Sequence, residues 1–301
     1  MHWLNKVVAG VLPSVPKAIV RRVSARYIAG ESLEDAVRTV RELNRQGMCA
    51  TLDVLGEFVT SESEARRAGA EYRNLLGAIH REGLDTNVSL KLTQMGLKID
   101  PELCFDVTRG IVEEAHRLEN FVRIDMEDSS CTDETLRIHR RLLELYPGRV
   151  GVVIQAYLKR SAADVRDLAA QGARVRLCKG IYIEAPEIAY RDSLEVNRNY
   201  LALLTDLLER GVHTGIATHD ERLVEPSYDI IRRLGLSKDR YEFQMLLGVR
   251  ESLRRAIVAA GHELRVYVPY GSHWYPYSLR RLKENPQVAG HVLRGIWNRH
   301  D

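Results

Sequence analysis

Charged and hydrogen-bonding side chains interrupt this sequence where the surrounding pattern is apolar. Lys91 ends the run Val88-Ser89-Leu90-Lys91, Asp125 ends Val122-Arg123-Ile124-Asp125, Gln155 ends Val152-Val153-Ile154-Gln155, and Arg176 sits inside Val175-Arg176-Leu177. Further along come His219 with Asp220, then Gln244, then Tyr267 with Tyr270. Taken singly, a lysine at a strand end is usually a solvated terminus, an aspartate a helix cap, and a histidine a packing residue. Their recurrence in one run after another argues for chemistry. An unpaired buried ion costs several kcal/mol, so a ring of them implies mutual pairing or a charged ligand.

A second constellation lies near the C-terminus, in Tyr275-Pro276-Tyr277-Ser278-Leu279-Arg280-Arg281-Leu282-Lys283-Glu284. On a helix, Tyr277, Arg281 and Glu284 share a face. The adjacent Arg280 and Arg281 project about 100° apart, so both can reach one small anion. Planar guanidinium groups grip a carboxylate bidentately, and tyrosines supply flat apolar walls beside it. An arginine pair alone reads as a solvated basic helix. The crowding of tyrosines and a proline around this one favours an anion site.

The elements that must position these residues alternate regularly. Short β-branched runs begin near Ala50, Asn87, Phe121, Gly151, Arg174, His213, Tyr241 and Leu264, eight in all. Between them lie helical stretches with recognisable ends. Ser32 caps a helix whose apolar face is Leu33, Ala36, Val37, Val40 and Leu43 and which Gly47 stops. Ser61 opens a helix ending at Gly83, Asp100-Pro101 opens the next, and Ser161 opens one closing at Gly172. Strand and helix repeated in this way, with no G-x-G-x-x-G turn, predict an α/β protein built as one closed (β/α)8 barrel rather than a dinucleotide-binding open sheet. The division expected is one domain over 1–301, with an N-terminal helical segment over 1–48, the barrel over 49–301 and the last helix over the barrel mouth. In such a barrel the C-terminal strand ends converge on one face, where active sites of this fold lie.

Composition sets the outer bounds. An apolar share of 45% and a charged share of 28% in 301 residues are those of an ordinary globular chain with a packed core. With 44 basic against 41 acidic side chains, nothing indicates a nucleic-acid partner. Cys49, Cys104, Cys131 and Cys178 are widely spaced and read as free thiols in a reducing cytosol. The short apolar run at Val7 to Leu12 is broken by Pro13 and Pro16 and followed by arginines, so it reads as part of the mature chain and not as a secretory signal. The basic, amphipathic character of residues 3–27 fits a helix packed on the barrel, with a membrane-surface contact as the alternative.

The joint order of several motifs resembles the proline dehydrogenase family, in particular its small monofunctional bacterial members. They are LDVLGE at 52–57, SLKLTQMG at 89–96, RIDMED at 123–128, VIQAYL at 153–158, RLCKGIY at 176–182, ATHD at 217–220, YEFQMLLG at 241–248, YVPYG at 267–271 and Y-x-x-R-R-x-x-E from Tyr277 to Glu284. The resemblance runs from about Tyr27 to Glu284 and also extends to the corresponding domain of bifunctional proline utilization A.

The resemblance implies noncovalent FAD at the barrel mouth and oxidation of L-proline to Δ1-pyrroline-5-carboxylate, the first step of proline degradation to glutamate. In the family's pattern Arg280 and Arg281, helped by Lys91, hold the substrate carboxylate, Asp125 lies beside the reacting region, and Arg176 contacts the flavin. Met126, Gln155, Lys179, Gly180, Ile181, Thr218 and His219 match flavin-contacting positions. Tyr267 and Tyr277 wall the substrate, and Glu57 and Glu284 stand around the entrance. The implied electron acceptor is a membrane quinone, which would put a cytoplasmic chain at the inner face of the membrane, and pyrroline-5-carboxylate dehydrogenase is a possible partner. One departure stands out. Gly180-Ile181-Tyr182-Ile183-Glu184 carries bulky apolar residues where the family more often has a small and then a polar or basic one. Two other readings fit the bare residues: a Schiff-base aldolase using Lys91, and a flavin-binding module without turnover. The group that takes the amine proton is not named by the sequence, and Asp125 could orient the amine or receive the proton.

Overall fold

In the computed structural model the described residues are 20–21, 25–56 and 58–284, with the side chains of 280–284 outside the description. Glu57, most of residues 3–27 and the segment after 284 lie outside the described residues, so the expectations placed on them stay as stated. The first described helix is α1 (Leu33–Arg45). Then follow β1 (Cys49–Val54), α2 (Glu62–Arg81), β2 (Thr86–Leu90), α3 (Pro101–Arg117), β3 (Val122–Ile124), α4 (Thr132–Leu145), β4 (Val150–Gln155) and α5 (Ser161–Ala170). The second half runs β5 (Arg174–Cys178), α6 (Ser193–Glu209), β6 (Thr214–Ala217), α7 (Glu221–Arg233), β7 (Tyr241–Leu246), α8 (Glu251–Ala259), β8 (Leu264–Tyr270) and α9 (Trp274–Glu284). The strands form a closed barrel in sequence order, with β8 returning to pair in parallel with β1.

Local chemistry explains the helix starts. Ser32 accepts from the Asp35 amide while Asp35 reaches back to the Ser32 amide, a reciprocal capping box, and Ser61 with Glu64 repeats the device on α2. Asp100 accepts from the amides of Glu102 and Leu103, with Pro101 in the first turn of α3. Ser161 begins α5 in a different way. It is the first helical residue, not the cap, and its hydroxyl donates to the Gln155 carbonyl at 2.7 Å, which ties the helix to the end of β4.

Each strand turns an apolar face outward to the helices. Leu52, Val88, Leu90, Val122, Ile124, Val152, Ile154, Val175, Leu177, Ile216, Phe243, Val266 and Val268 are almost completely buried there. The alternate set faces the lumen, as hydrogen bonds between strands that are not neighbours require: Arg176 on β5 donates to Ser89 on β2 at 3.2 Å, and Tyr267 on β8 to Asp125 beyond β3 at 2.8 Å. The polar residues that break the strand pattern are therefore the lining of the barrel, held in place by an apolar ring outside it; Tyr270 is the exception, since it shares the face of Val266 and Val268 and packs in the core.

The floor of the lumen is ionic as well. Arg265 donates to both Glu242 oxygens at 3.0 Å and to the Ala50 carbonyl at 2.7 Å, while Gln244 donates to Glu242 and accepts from Arg176. Arg123 is buried and donates to the carbonyls of Val152 at 3.2 Å and Arg174 at 2.7 Å. It occupies the space above Gly151, where a Cβ would stand 2.5 Å from its guanidinium nitrogen and 2.5 Å from the Arg174 carbonyl oxygen.

Burial works to push the Glu242 carboxyl up, but Arg265 outweighs it and holds the group down at about 2. A carboxylate depressed in the folded state supports the fold above its unfolded pKa, and that support drains away as pH falls through the folded value. Glu242→Gln should therefore cost on the order of 2–3 kcal/mol at neutral pH and much less near pH 2. Urea unfolding across that acid range checks this, and an equal loss at both ends would refute the ion-pair account.

Candidate active site

A cavity of about 930 Å³ opens at the C-terminal ends of the strands. Of the residues singled out by sequence, Lys91, Asp125, Met126, Gln155, Arg176, Lys179, Gly180, Ile181, Thr218, His219, Tyr267 and Tyr277 all line it. Helix α9 carries Tyr277 to the cavity wall. The side chains of Arg280, Arg281 and Glu284, and the whole of Glu57, lie outside the described residues.

The deep end is organised around Asp125. Its Oδ1 accepts from Ser89 Oγ at 2.7 Å and from an Arg176 nitrogen at 2.7 Å, and its Oδ2 accepts from Tyr267 Oη at 2.8 Å. Lys91 Nζ stands 3.7 Å from Asp125, is bonded to both oxygens of Asp53 at 2.9 and 3.0 Å, and lies 3.4 Å from Tyr267 Oη. The Arg176 guanidinium also sits over the Tyr267 ring, 5.4 Å from its centre. Behind these, the buried Tyr72 hydroxyl donates to the Ser89 carbonyl at 2.9 Å, lies 3.4 Å from Asp53 and accepts from the Val54 amide at 3.2 Å.

This packing sorts the protonation states. Burial would raise the Asp125 carboxyl, but Arg176 and then Lys91 outweigh it and leave the group below the ordinary carboxylate value. Desolvation would drain the Lys91 ammonium of its proton, yet Asp53 and Asp125 more than reverse that and raise it. Asp53 is raised, since burial dominates over the pull of Lys91. Tyr267 is raised well above the phenol value by burial and by Asp125, so it stays a neutral donor. The cluster thus presents an ionised Asp125 held by cations and hydroxyls, beside a protonated Lys91.

The side of the cavity toward β4–β6 differs in character. Gln155 donates to the Met126 carbonyl at 3.3 Å, while its Oε1 is buried without a partner. Lys179 bonds Asp220 at 2.7 Å, Asp220 also holds Arg222 at 3.0 Å, and Thr218 Oγ1 accepts from the Asp220 amide at 3.1 Å. His219 Nε2 accepts from the Leu246 amide at 2.8 Å, which fixes that nitrogen as the unprotonated one. Gly180 has φ +103°, and a Cβ there would collide with the Tyr157 ring. The loop after β5 is pinned by Glu184, which accepts from the amide and the hydroxyl of Ser129, each at 2.7 Å. Ile181 lines the cavity with about half its surface exposed.

Sequence reasoning missed Asp53, Ser89 and Tyr72 as parts of the site. Asp53 had a signal, since a carboxylate inside the strand Ala50 to Leu55 breaks the apolar pattern just as Lys91 does. Ser89 and Tyr72 had none, because a small hydroxyl in a strand and a tyrosine in a helix are ordinary.

A family profile described as "Proline dehydrogenase" matches residues 36–294. Proline dehydrogenase 1 of Bacillus subtilis (strain 168) is 38% identical over 95% of this chain and 94% of its own length. The proline dehydrogenase of Deinococcus radiodurans is 37% identical over 91% of this chain and 90% of its own. Among solved structures, proline utilization A from Bdellovibrio bacteriovorus, inactivated by N-propargylglycine, superposes with a TM-score of 0.82 at 27% identity. That alignment covers 88% of this chain, which spans about a third (32%) of the longer protein. With most of its length matched by the family profile and by relatives of nearly equal length, the chain belongs to the proline dehydrogenase family.

Proposed function

We propose that the cavity binds FAD noncovalently together with L-proline, and that the chain oxidises L-proline to Δ1-pyrroline-5-carboxylate. The observation that carries this reading is the Asp125–Arg176–Tyr267–Lys91 cluster at the floor of an open cavity. Such a site offers fixed cations for a small zwitterion and aromatic walls for its ring.

The residues present fit a flavin. Small-molecule sites span roughly 300–1,000 Å³, and this cavity lies at the upper end, large enough for a cofactor and a small substrate. The orphaned Gln155 Oε1 is a buried acceptor in want of an N–H donor, and at Gly180 the missing side chain lets the Tyr157 ring pack against the backbone behind the cavity wall. Met126, Gln155, Arg176, Lys179, Gly180, Ile181, Thr218 and His219 would hold the cofactor. FAD bound there would supply the acceptor for the hydride from C5 of the substrate, with a membrane quinone as the proposed destination of the electrons.

The chain's own residues bind and orient. Arg280 and Arg281, with Lys91, hold the carboxylate, and Tyr267 and Tyr277 wall the ring, with Glu57 and Glu284 at the entrance. Arg176 sets a fixed positive charge where negative charge develops. Asp125 already accepts from Ser89, Arg176 and Tyr267, and its depressed pKa makes it a poor proton acceptor, so we assign it the holding of Arg176 and Tyr267 rather than the role of base. The protonated state of Lys91 weighs against a Schiff-base aldolase, which needs a neutral amine. The electrons' destination would put the chain at the inner face of the cytoplasmic membrane, with pyrroline-5-carboxylate dehydrogenase consuming the product. Among the described residues no helix is long and apolar enough to cross a membrane.

The central test is spectroscopic. Purified protein should carry a flavin absorbance that anaerobic proline bleaches. A colourless protein that gains no absorbance with added FAD would sink the reading, and a flavin that proline leaves unbleached would mark a binding module. Arg281→Met should raise KM for proline roughly 10- to 100-fold with much less change in kcat, because it removes binding present in both ground and transition states. An unchanged KM would move the anion site elsewhere. Asp125→Asn should lower kcat/KM by at least about tenfold while leaving every ionisation of the pH profile in place. A limb of the profile that vanishes in this variant would make Asp125 the base after all.

A further inference from the structure

At the end of the barrel remote from the active site, residues at or just before the starts of three adjacent strands form a basic row. The register that pairs Val175 with Thr214 and Thr214 with Tyr241 sets Arg174, His213 and Arg240 side by side at or just before the starts of β5, β6 and β7. All three line a second cavity of about 280 Å³, together with Arg210 and with Asp239 as its one carboxylate.

The charges in this row are poorly neutralised from within. Arg174 has no carboxylate within ion-pair distance among the described residues, and its Nε is buried without a partner. Its guanidinium stands 5.0 Å from the centre of the Phe121 ring, which the Arg123 guanidinium also covers at 4.9 Å. Two like charges therefore share one ring. Arg123 itself is bonded only to backbone carbonyls, and the neighbouring buried carboxylate, Glu242, is taken by Arg265. His213 Nδ1 is likewise buried and unpartnered, and burial followed by Arg174 pulls this histidine down to about 4. At the edge, Arg210 is held by Asp206 at 2.6 Å, and Arg240 donates to the Gly211 carbonyl.

We propose that this cavity is a binding site for a small oxyanion of the phosphate type. Such an anion supplies the acceptors that Arg174 Nε and His213 lack, and it offsets the excess of cations around a partly buried guanidinium that has no carboxylate partner among the described residues. The cavity has room for the anion and several waters, given that a water occupies about 30 Å³ in the liquid. The anion could be free phosphate or the phosphoryl group of a small ester, since the apolar part of the lining is limited to Ala169, Ala173 and Val212 beside the polar groups and a volume of about 280 Å³ leaves little room for a larger body. Its place at the strand starts separates it from the residues assigned to proline and flavin.

Thermal unfolding of the flavin-loaded protein tests this, with inorganic phosphate compared against chloride at matched ionic strength. Phosphate should raise Tm saturably and chloride should not. Arg174→Met and Arg240→Ser should each weaken the apparent phosphate affinity at least about tenfold, the loss expected when a charge-assisted hydrogen bond is removed. Proline turnover by Arg240→Ser should be unchanged. A small phosphomonoester in a parallel titration identifies the source: tighter saturation than with inorganic phosphate assigns the site to an ester, and weaker saturation to the free ion. Equal responses to phosphate and chloride, or a phosphate response that survives in Arg240→Ser, would overturn the proposal. Should Arg174→Met fail to fold, Arg240→Ser at the cavity edge decides alone.

Discussion

The barrel depends on keeping one carboxylate ionised where water is scarce. Asp125 sits at the end of β3 and accepts from Ser89, Arg176 and Tyr267, with Lys91 close by. Remove its charge and Arg176, itself almost completely buried, loses its ion-pair partner. The same step leaves Lys91 with Asp53 alone. Each member is tolerable only because the others are present, and so the group behaves as one unit rather than as separable contacts.

A lumen of this kind is unfavourable compared with an apolar one of equal volume, since desolvation of buried ions can exceed their mutual attraction. The stability must then come from elsewhere, and the outward faces of the strands provide it. Val, Ile and Leu side chains on seven strands, with Tyr241, Phe243 and Met245 on β7, pack against the surrounding helices to form one continuous core. The interior is thereby free to be polar, and glycines make the arrangement fit: Gly151 leaves space for Arg123, and at Gly215 a Cβ would stand 2.5 Å from Gln244. Function at the mouth and polarity in the lumen share one physical cause, an apolar ring that holds strands whose inner faces need not contribute to cohesion.

The ring and the strand order were legible in the sequence because alternation is a local signal. The eight expected strand starts fall within one residue of those found, and Ser32, Ser61 and Asp100 cap helices as their types require. The cavity-facing residues were legible for the same reason, since Lys91, Asp125, Gln155 and Arg176 break an apolar pattern. What alternation cannot convey is which inward groups bond to which. That Asp53 rather than Asp125 takes the direct bonds of Lys91, and that Tyr72 reaches from a helix into the strand ends, are outcomes of barrel closure between residues distant in the chain. Ser161 shows the same limit on a small scale, because a hydroxyl at a helix start serves as a cap or as a tie to the preceding strand according to where that strand lies.

The two ends of the lumen solve the same electrostatic problem differently. At the deep end of the mouth, Lys91 and Arg176 face Asp53 and Asp125, so two basic side chains meet two acidic ones before any ligand arrives. A zwitterion adds one charge of each sign and leaves that balance intact, which suits a site that must bind and release a small amino acid at every turnover. At the floor, Arg123, Arg174 and Arg265 face the buried Glu242, with Glu263 half exposed at 3.6 Å from Arg265. Of these, Arg174 also lines the second cavity, where the proposed anion would offset part of that imbalance. The distribution of charge along the barrel axis thus separates a site built for exchange from one built for retention, although both are lined by the same kind of side chain on the same strands.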